Sequence, residues 1–259
     1  GCWMKEEMYT GLDAEFYDEL LDGEIDDLPF WQDLVKETGG RSLEVGCGTG
    51  RILIPLLEEG LEVDGMDISE HMISLLREKT SNLGVETDVR VQAMETLDMG
   101  RHYSLIFIPG FSLQMAEGRD GLLQTLQACN RHLAPGGTLA VSLFFPWEEM
   151  EDDEPGDWRL RKKLKRPDGS RLECFQSTTI DLEKQQLELK SRYTLRGKSK
   201  ELLKEENHNI KLLWFYPHEF HLLLEEAGFE VIDTFSEYTD EPMDEFTPHA
   251  VFIAEKSGG

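Results

Sequence analysis

Basic residues are scarce in this chain: 26 Lys and Arg stand against 52 Asp and Glu over 259 residues, a formal charge of −26. Nonspecific nucleic-acid binders depend on basic faces, so DNA and bulk RNA are poor partners. Long apolar runs are lacking too. No window approaches 18 uncharged apolar residues, and residues 1–30 are acidic rather than basic and then apolar. Neither a membrane span nor a secretory leader is expected, and a cytoplasmic protein is. The four cysteines, Cys2, Cys47, Cys129 and Cys174, form no C-x-x-C pair, which argues against a zinc site or a disulfide framework. No metal is expected. What is present, 39% hydrophobic residues, suffices for one large domain, or for a domain with an insert.

The acidity is uneven. Residues 156–215 hold 15 Lys and Arg against 9 Asp and Glu, a net of +6 that leaves −32 on the remaining residues. Residues 42–145 alternate short apolar runs (42–45, 61–66, 89–92, 104–108, 138–144) with helical spacing over 52–58, 70–79 and 121–132. That rhythm predicts an α/β fold, a parallel sheet covered by helices on both faces. From residue 158 the period becomes two. The runs 171–180 and 186–195, joined through Pro167-Asp168-Gly169-Ser170 and residues 181–185, predict antiparallel hairpins. A helix over 217–227, stopped by Gly228, and strands over 229–235 and 249–255 follow. The expected parts are a helical cap (1–40), a ligand-binding core (41–149), a small antiparallel insert (150–213) and a completion of the core sheet (214–259).

The sharpest motif is Glu44-Val45-Gly46-Cys47-Gly48-Thr49-Gly50, placed between a strand and a helix. Glycines there permit a sharp turn and a close approach of backbone to ligand. A dinucleotide fingerprint would set its third glycine where Arg51 stands, and no Gly-Lys-Ser/Thr follows, so neither an NAD loop nor a phosphate-cradling loop is indicated. Asp67 ends the next strand, 21 residues after Gly46. An acid there is placed to accept both ribose hydroxyls of an adenosine.

With the Leu133-Ala-Pro-Gly-Gly137 turn, these residues resemble the class I S-adenosylmethionine (SAM) methyltransferases. The resemblance implies a Rossmann-like seven-stranded, mostly parallel sheet whose last strand is antiparallel, with SAM as cofactor and S-adenosylhomocysteine (SAH) as product. It implies that Gly46, Cys47, Gly48, Thr49 and Gly50 face the methionine part of SAM, Asp67 and Ile68 the ribose, and Ala93, Met94 and Glu95 the adenine. Glu44, Arg51, Met72 and Pro109 complete the implied cofactor set. Many relatives have Asp at the Ala93 position. Here either Glu95 substitutes, or backbone groups and apolar contact from Ile68, Met72 and Met94 hold the base.

The segment Tyr9-Thr-Gly-Leu-Asp-Ala-Glu-Phe-Tyr17, with an insert after the fifth strand, is similar to the small-molecule subgroup: amino-sugar nucleotide N,N-dimethyltransferases and glycine N-methyltransferase-like enzymes. By that resemblance Tyr17 covers the methionine end of SAM and Tyr9 is a catalytic candidate. An amphipathic helix burying Phe16, Tyr17 and Leu20 is the structural alternative. Gln114 is the second catalytic candidate, for orienting a nucleophile, because Met115 stands where the sugar enzymes carry a histidine. The absence of an evident base favours a nitrogen, a carbon acid or an acidic oxygen as acceptor. The insert is expected to form a lid, and its Arg159, Arg161 and Lys163 suggest an anionic small molecule. His71, His102 and His132 read as solvated. A monomer or homodimer without nucleic-acid or membrane partners is expected. The rivals are an RNA or protein methyltransferase and a catalytically silent SAM-binding subunit.

Overall fold

The computed structural model describes residues 11–21 and 26–258. They fall into two compact units. One runs over Asp26–Phe145 and resumes at Phe215; the other joins the N-terminal helices to Pro146–Trp214.

The first unit follows the alternation in the sequence. After α3 (Leu28–Thr38) come β1 (Ser42–Val45), α4 (Leu53–Glu58), β2 (Val63–Asp67), α5 (Glu70–Leu83), β3 (Val89–Val91), β4 (Tyr103–Ile108), α6 (Gly118–His132) and β5 (Leu133–Phe144). The chain returns as α8 (Pro217–Glu226), β10 (Phe229–Ser236) and β11 (His249–Lys256). The strands form one sheet in the order β10-β11-β5-β4-β1-β2-β3. β11 runs antiparallel to both of its neighbours, and the other pairs are parallel. This is the expected seven-stranded architecture.

Alternate residues of a strand face opposite ways, so a strand apolar at every position needs cover on both sides. β11 shows it: Val251 joins the cluster of Trp31, Val35, Leu53, Leu56, Ile73 and Phe107, while Phe252 meets Phe220 of α8 with ring centroids 4.9 Å apart. Local signals fix the connections. Ser69 caps α5 by accepting from the Met72 N–H at 3.2 Å, and Gly84 ends that helix at φ +70°. No helix among the described residues is long and apolar enough to cross a membrane.

The second unit is an antiparallel meander of β6 (Arg159–Lys165), β7 (Arg171–Asp181), β8 (Gln186–Arg196) and β9 (Leu202–Leu213) in that order, preceded by a short α7 (Trp147–Met150). Its turns are built as their residues dictate. Asp168 accepts from the Ser170 N–H at 2.8 Å beside Gly169 at φ +87°, and Asp181 accepts from the Lys184 N–H at 2.9 Å. The helices α1 (Gly11–Glu15) and α2 (Tyr17–Leu21) belong to this unit. Leu12 and Phe16 are buried against Leu172, Cys174 and Tyr193, the Leu12 N–H donates to Glu206 at 2.6 Å, and the Tyr193 hydroxyl donates to Asp13 at 2.8 Å. Residues 11–21 therefore pack with the second sheet, whereas α3 packs with the first.

Candidate functional site

The ends of β1 and β2 bring the glycine loop and its acids together. The parallel register sets Glu44 beside Gly65 and Phe107, and Val45 beside Met66. The chain then reverses over the end of β2, with the Gly46 and Cys47 N–H groups both donating to the Met66 carbonyl at 2.8 and 3.0 Å. Gly46 and Gly50 have φ of +77° and +89°, and a Cβ on them would stand 2.7 Å from Ser112 Oγ and 2.8 Å from Ile54 Cγ1. Both backbone conformation and crowding thus demand glycine.

Asp67 braces this loop. One carboxylate oxygen accepts from the Gly48 N–H and the other from the Ser69 N–H, each at 2.9 Å. The Gly50 N–H donates to the Cys47 carbonyl at 3.0 Å. With these amides engaged internally, the loop lacks the outward-pointing N–H groups of a pyrophosphate cradle. Burial holds the Asp67 carboxyl above its usual range, although the backbone N–H groups of Ser69, Gly48 and Ile68 oppose the shift. A carboxylate offers about four lone-pair sites, so these donors do not exhaust its capacity to accept.

Glu44 differs. It is 2% exposed, and its Oε2 has no hydrogen-bond partner. Loss of hydration pushes its pKa well above the ordinary carboxylate value, with Asp27 and Asp67 adding to the effect and Arg51 opposing it. A buried carboxyl with an unused oxygen fits a ligand that brings a donor or a positive charge. The residues present therefore fit an adenosine bearing a cationic amino-acid end. Cys47 carries no reactive thiolate: burial and the nearby acids hold its thiol well above the usual value.

The expected cofactor residues divide. Ile68, Ala93, Met94 and Glu95 are half-buried at the ends of β2 and β3, with Glu95 accepting from the Glu117 N–H at 3.4 Å. Met72 is 1% exposed and Pro109 is buried, so both are already covered by protein. Arg51 makes a bidentate pair with Asp27 at 2.5 and 3.1 Å, and Asp27 also accepts from Trp31 Nε1 at 2.9 Å. The sequence reading missed Asp27 and Trp31. Asp27 ahead of Leu28-Pro29 was legible as a helix start, but its carboxylate makes no cap because Arg51 and Trp31 take it.

Three expectations change. Gln114 is fully buried and brackets Phe144, its Nε2 donating to the carbonyl at 3.0 Å and its Oε1 accepting from the N–H at 2.9 Å. That commitment to the backbone makes it a structural residue. His132 is half-buried, with its ring nitrogens at the Ala128 carbonyl and the Met99 N–H, because its helix end leans on the Met99 turn. In the second unit, Arg159 and Lys163 are paired with Asp152 and Glu173, which weakens the argument for an anionic substrate. Tyr17 is half-buried at the start of α2, and Tyr9 lies outside the described residues. Among the described residues no group of three His, Cys, Asp or Glu side chains could hold a metal ion.

Comparison with known proteins agrees with this geometry. Residues 43–137 match the family model described as a methyltransferase domain. The chain is 32% identical over 137 residues to "Putative methyltransferase YqeM" of Bacillus subtilis, covering 51% of this chain and 53% of that one. The chain thus spans about half the length of that curated relative. The structure of the CcbJ methyltransferase from Streptomyces caelestis superimposes with a TM-score of 0.81 at 23% identity, covering 98% of this chain and 99% of the other. That of the sugar N-methyltransferase KedS8 from Streptoalloteichus superimposes with a TM-score of 0.75 at 20% identity, covering 96% and 94%. The match to the methyltransferase-domain model is confined to residues 43–137, and the chain shares its fold with a solved S-adenosylmethionine-dependent methyltransferase from Clostridium acetobutylicum.

Proposed function

We propose that this chain transfers a methyl group from SAM to a small-molecule acceptor and releases SAH. The observation that carries the reading is the pair of acids at the ends of β1 and β2, on either side of the Gly46–Gly50 loop: Asp67 with acceptor capacity left, and Glu44 with a buried oxygen that nothing engages. SAM supplies a methyl already activated by a positive sulfur, so the chain has to align, desolvate and exclude water rather than provide strong acid or base.

In this reading Asp67 accepts the ribose hydroxyls, and the loop supports the methionine end through its Cα surface because its amides are engaged elsewhere. Ile68 and Met94 give apolar contact to adenine, since the Ala93 side chain has no acceptor to offer. The acceptor atom is a nitrogen, an acidic oxygen or a carbon acid; a neutral amine needs only desolvation and a hydrogen-bond partner. A nitrogen acceptor is in keeping with the sugar N-methyltransferase among the similar structures.

The test is label transfer from methyl-labelled SAM into a cell extract, separated by size. Label in the small-molecule fraction is the expected outcome. Label confined to RNA or protein, or none transferred despite tight SAH binding, would overturn the reading in favour of a macromolecular methyltransferase or a silent SAM-binding subunit. Tyr9 is assigned to orienting the acceptor. Tyr9→Phe is then expected to lower kcat while SAH affinity stays within about twofold, because a hydroxyl lost at the reacting centre is felt mainly in the transition state. Unchanged turnover on the true substrate returns Tyr9 to packing.

A further inference from the structure

The assignment of the loop to SAM leaves Glu44 with more to do than line a wall. Glu44 is 2% exposed on β1, where the parallel register sets it opposite Gly65 and Phe107. Three charged side chains act on it: Arg51 from the turn before α4, Asp27 from the start of α3 and Asp67 from the end of β2. The Leu53 N–H also donates to it. The one cation among these groups is held in a bidentate pair by Asp27, whose side chain is fully buried. Arg51 is therefore shared between two acids, and Oε2 is left without a donor. A carboxylate in that position is poorly compensated, and a neutral carboxylic acid is the cheaper state.

We propose that cofactor binding at this site is linked to a proton: Glu44 is neutral in the empty chain and ionises when the ammonium group of the cofactor's amino-acid end comes beside Oε2. This inference rests on the SAM reading and adds the electrostatic rule by which the site accepts its ligand. The O–H bond of the carboxyl breaks, the proton leaves to solvent, and the carboxylate remains paired with the ammonium. Affinity for SAH then rises with pH across the range in which the empty chain still holds the proton. Asp67, whose carboxyl burial also raises, lies close by but answers to the ribose, and burial holds the Cys47 thiol in its protonated form.

Calorimetry of the whole chain in two buffers of different ionisation enthalpy, at one pH near neutrality, reads the protons released. SAH is compared with methylthioadenosine, which has the adenosine and the sulfur but no ammonium. SAH is expected to release more protons than methylthioadenosine, by up to about one per site, with the excess abolished in Glu44→Gln. Equal release by the two ligands, or an excess that persists in Glu44→Gln, overturns the linkage. Should Glu44→Gln fail to fold, infrared difference spectra of the wild-type chain decide. Loss of a protonated-carboxyl band on adding SAH, but not methylthioadenosine, is expected, and no loss overturns the proposal. Failure of both ligands to bind would instead remove the SAM reading itself.

Discussion

At the residue scale, the two strand-end acids make opposite predictions. Asp67 ties Gly48 and Ser69 together and is assigned to the ribose, so Asp67→Ala removes a charged acceptor from buried donors. A loss of about 2–4 kcal/mol in SAH affinity is expected, roughly 30- to 1,000-fold in Kd by calorimetry. Unchanged affinity would refute the ribose assignment. Glu44→Gln is expected to stabilise the empty chain, in a pH-dependent way. The folded-state pKa of Glu44 lies above its unfolded value. Its stabilising contribution is therefore complete below the ordinary carboxylate pKa and is lost as pH rises through the folded value. The melting temperature of Glu44→Gln should thus gain on the wild type from pH 5 to pH 8, each kcal/mol counting for about 2–4 °C. A gap that stays constant with pH would show that Glu44 is ionised throughout.

At the element scale, the alternation of short apolar runs with amphipathic stretches placed every strand of the first sheet to within a few residues, because each run is bounded by glycine or a polar cap. The largest difference is β5, which starts at Leu133 rather than at 138, so that Pro135-Gly136-Gly137 lies within the strand's span. β9 was missed. Its middle, Lys204-Glu-Glu-Asn-His-Asn209, is polar on both faces and gives no period-two signal, and only pairing with β8 makes it a strand. Gly65 illustrates a constraint that no pattern shows. It lies mid-strand, and a Cβ there would stand 2.9 Å from Cys47 Sγ and 3.2 Å from a Leu53 methyl. Gly65→Ala is expected to cost about 1–3 kcal/mol in denaturant unfolding, as overpacking does in a filled core, and to weaken SAH binding by shifting the Cys47 turn. A neutral substitution would mean that the loop has slack to absorb a methyl group.

At the scale of the whole molecule, charge is the quantity most easily tested. A net −26 concentrated outside residues 156–215 repels itself in the folded state, and added salt screens that repulsion. Thermal stability is expected to rise between about 0.05 and 0.5 M NaCl, where the Debye length falls below 10 Å. A fall would show that ion pairs such as Arg41–Asp64 outweigh the bulk repulsion. The amino-acid sequence by itself determined the α/β class, the antiparallel insert, the G-x-G-x-G loop and the spaced acid, since periodicity and glycine placement are local properties. The tertiary structure decided the rest. It assigned residues 11–21 to the second sheet through Leu12 and Phe16, retired Gln114 to a backbone bracket, paired Arg51 with Asp27 across 24 positions, and left Glu44 buried with one oxygen unclaimed. Hydrogen-bond satisfaction and burial depend on which distant residues meet, and no local pattern carries that information.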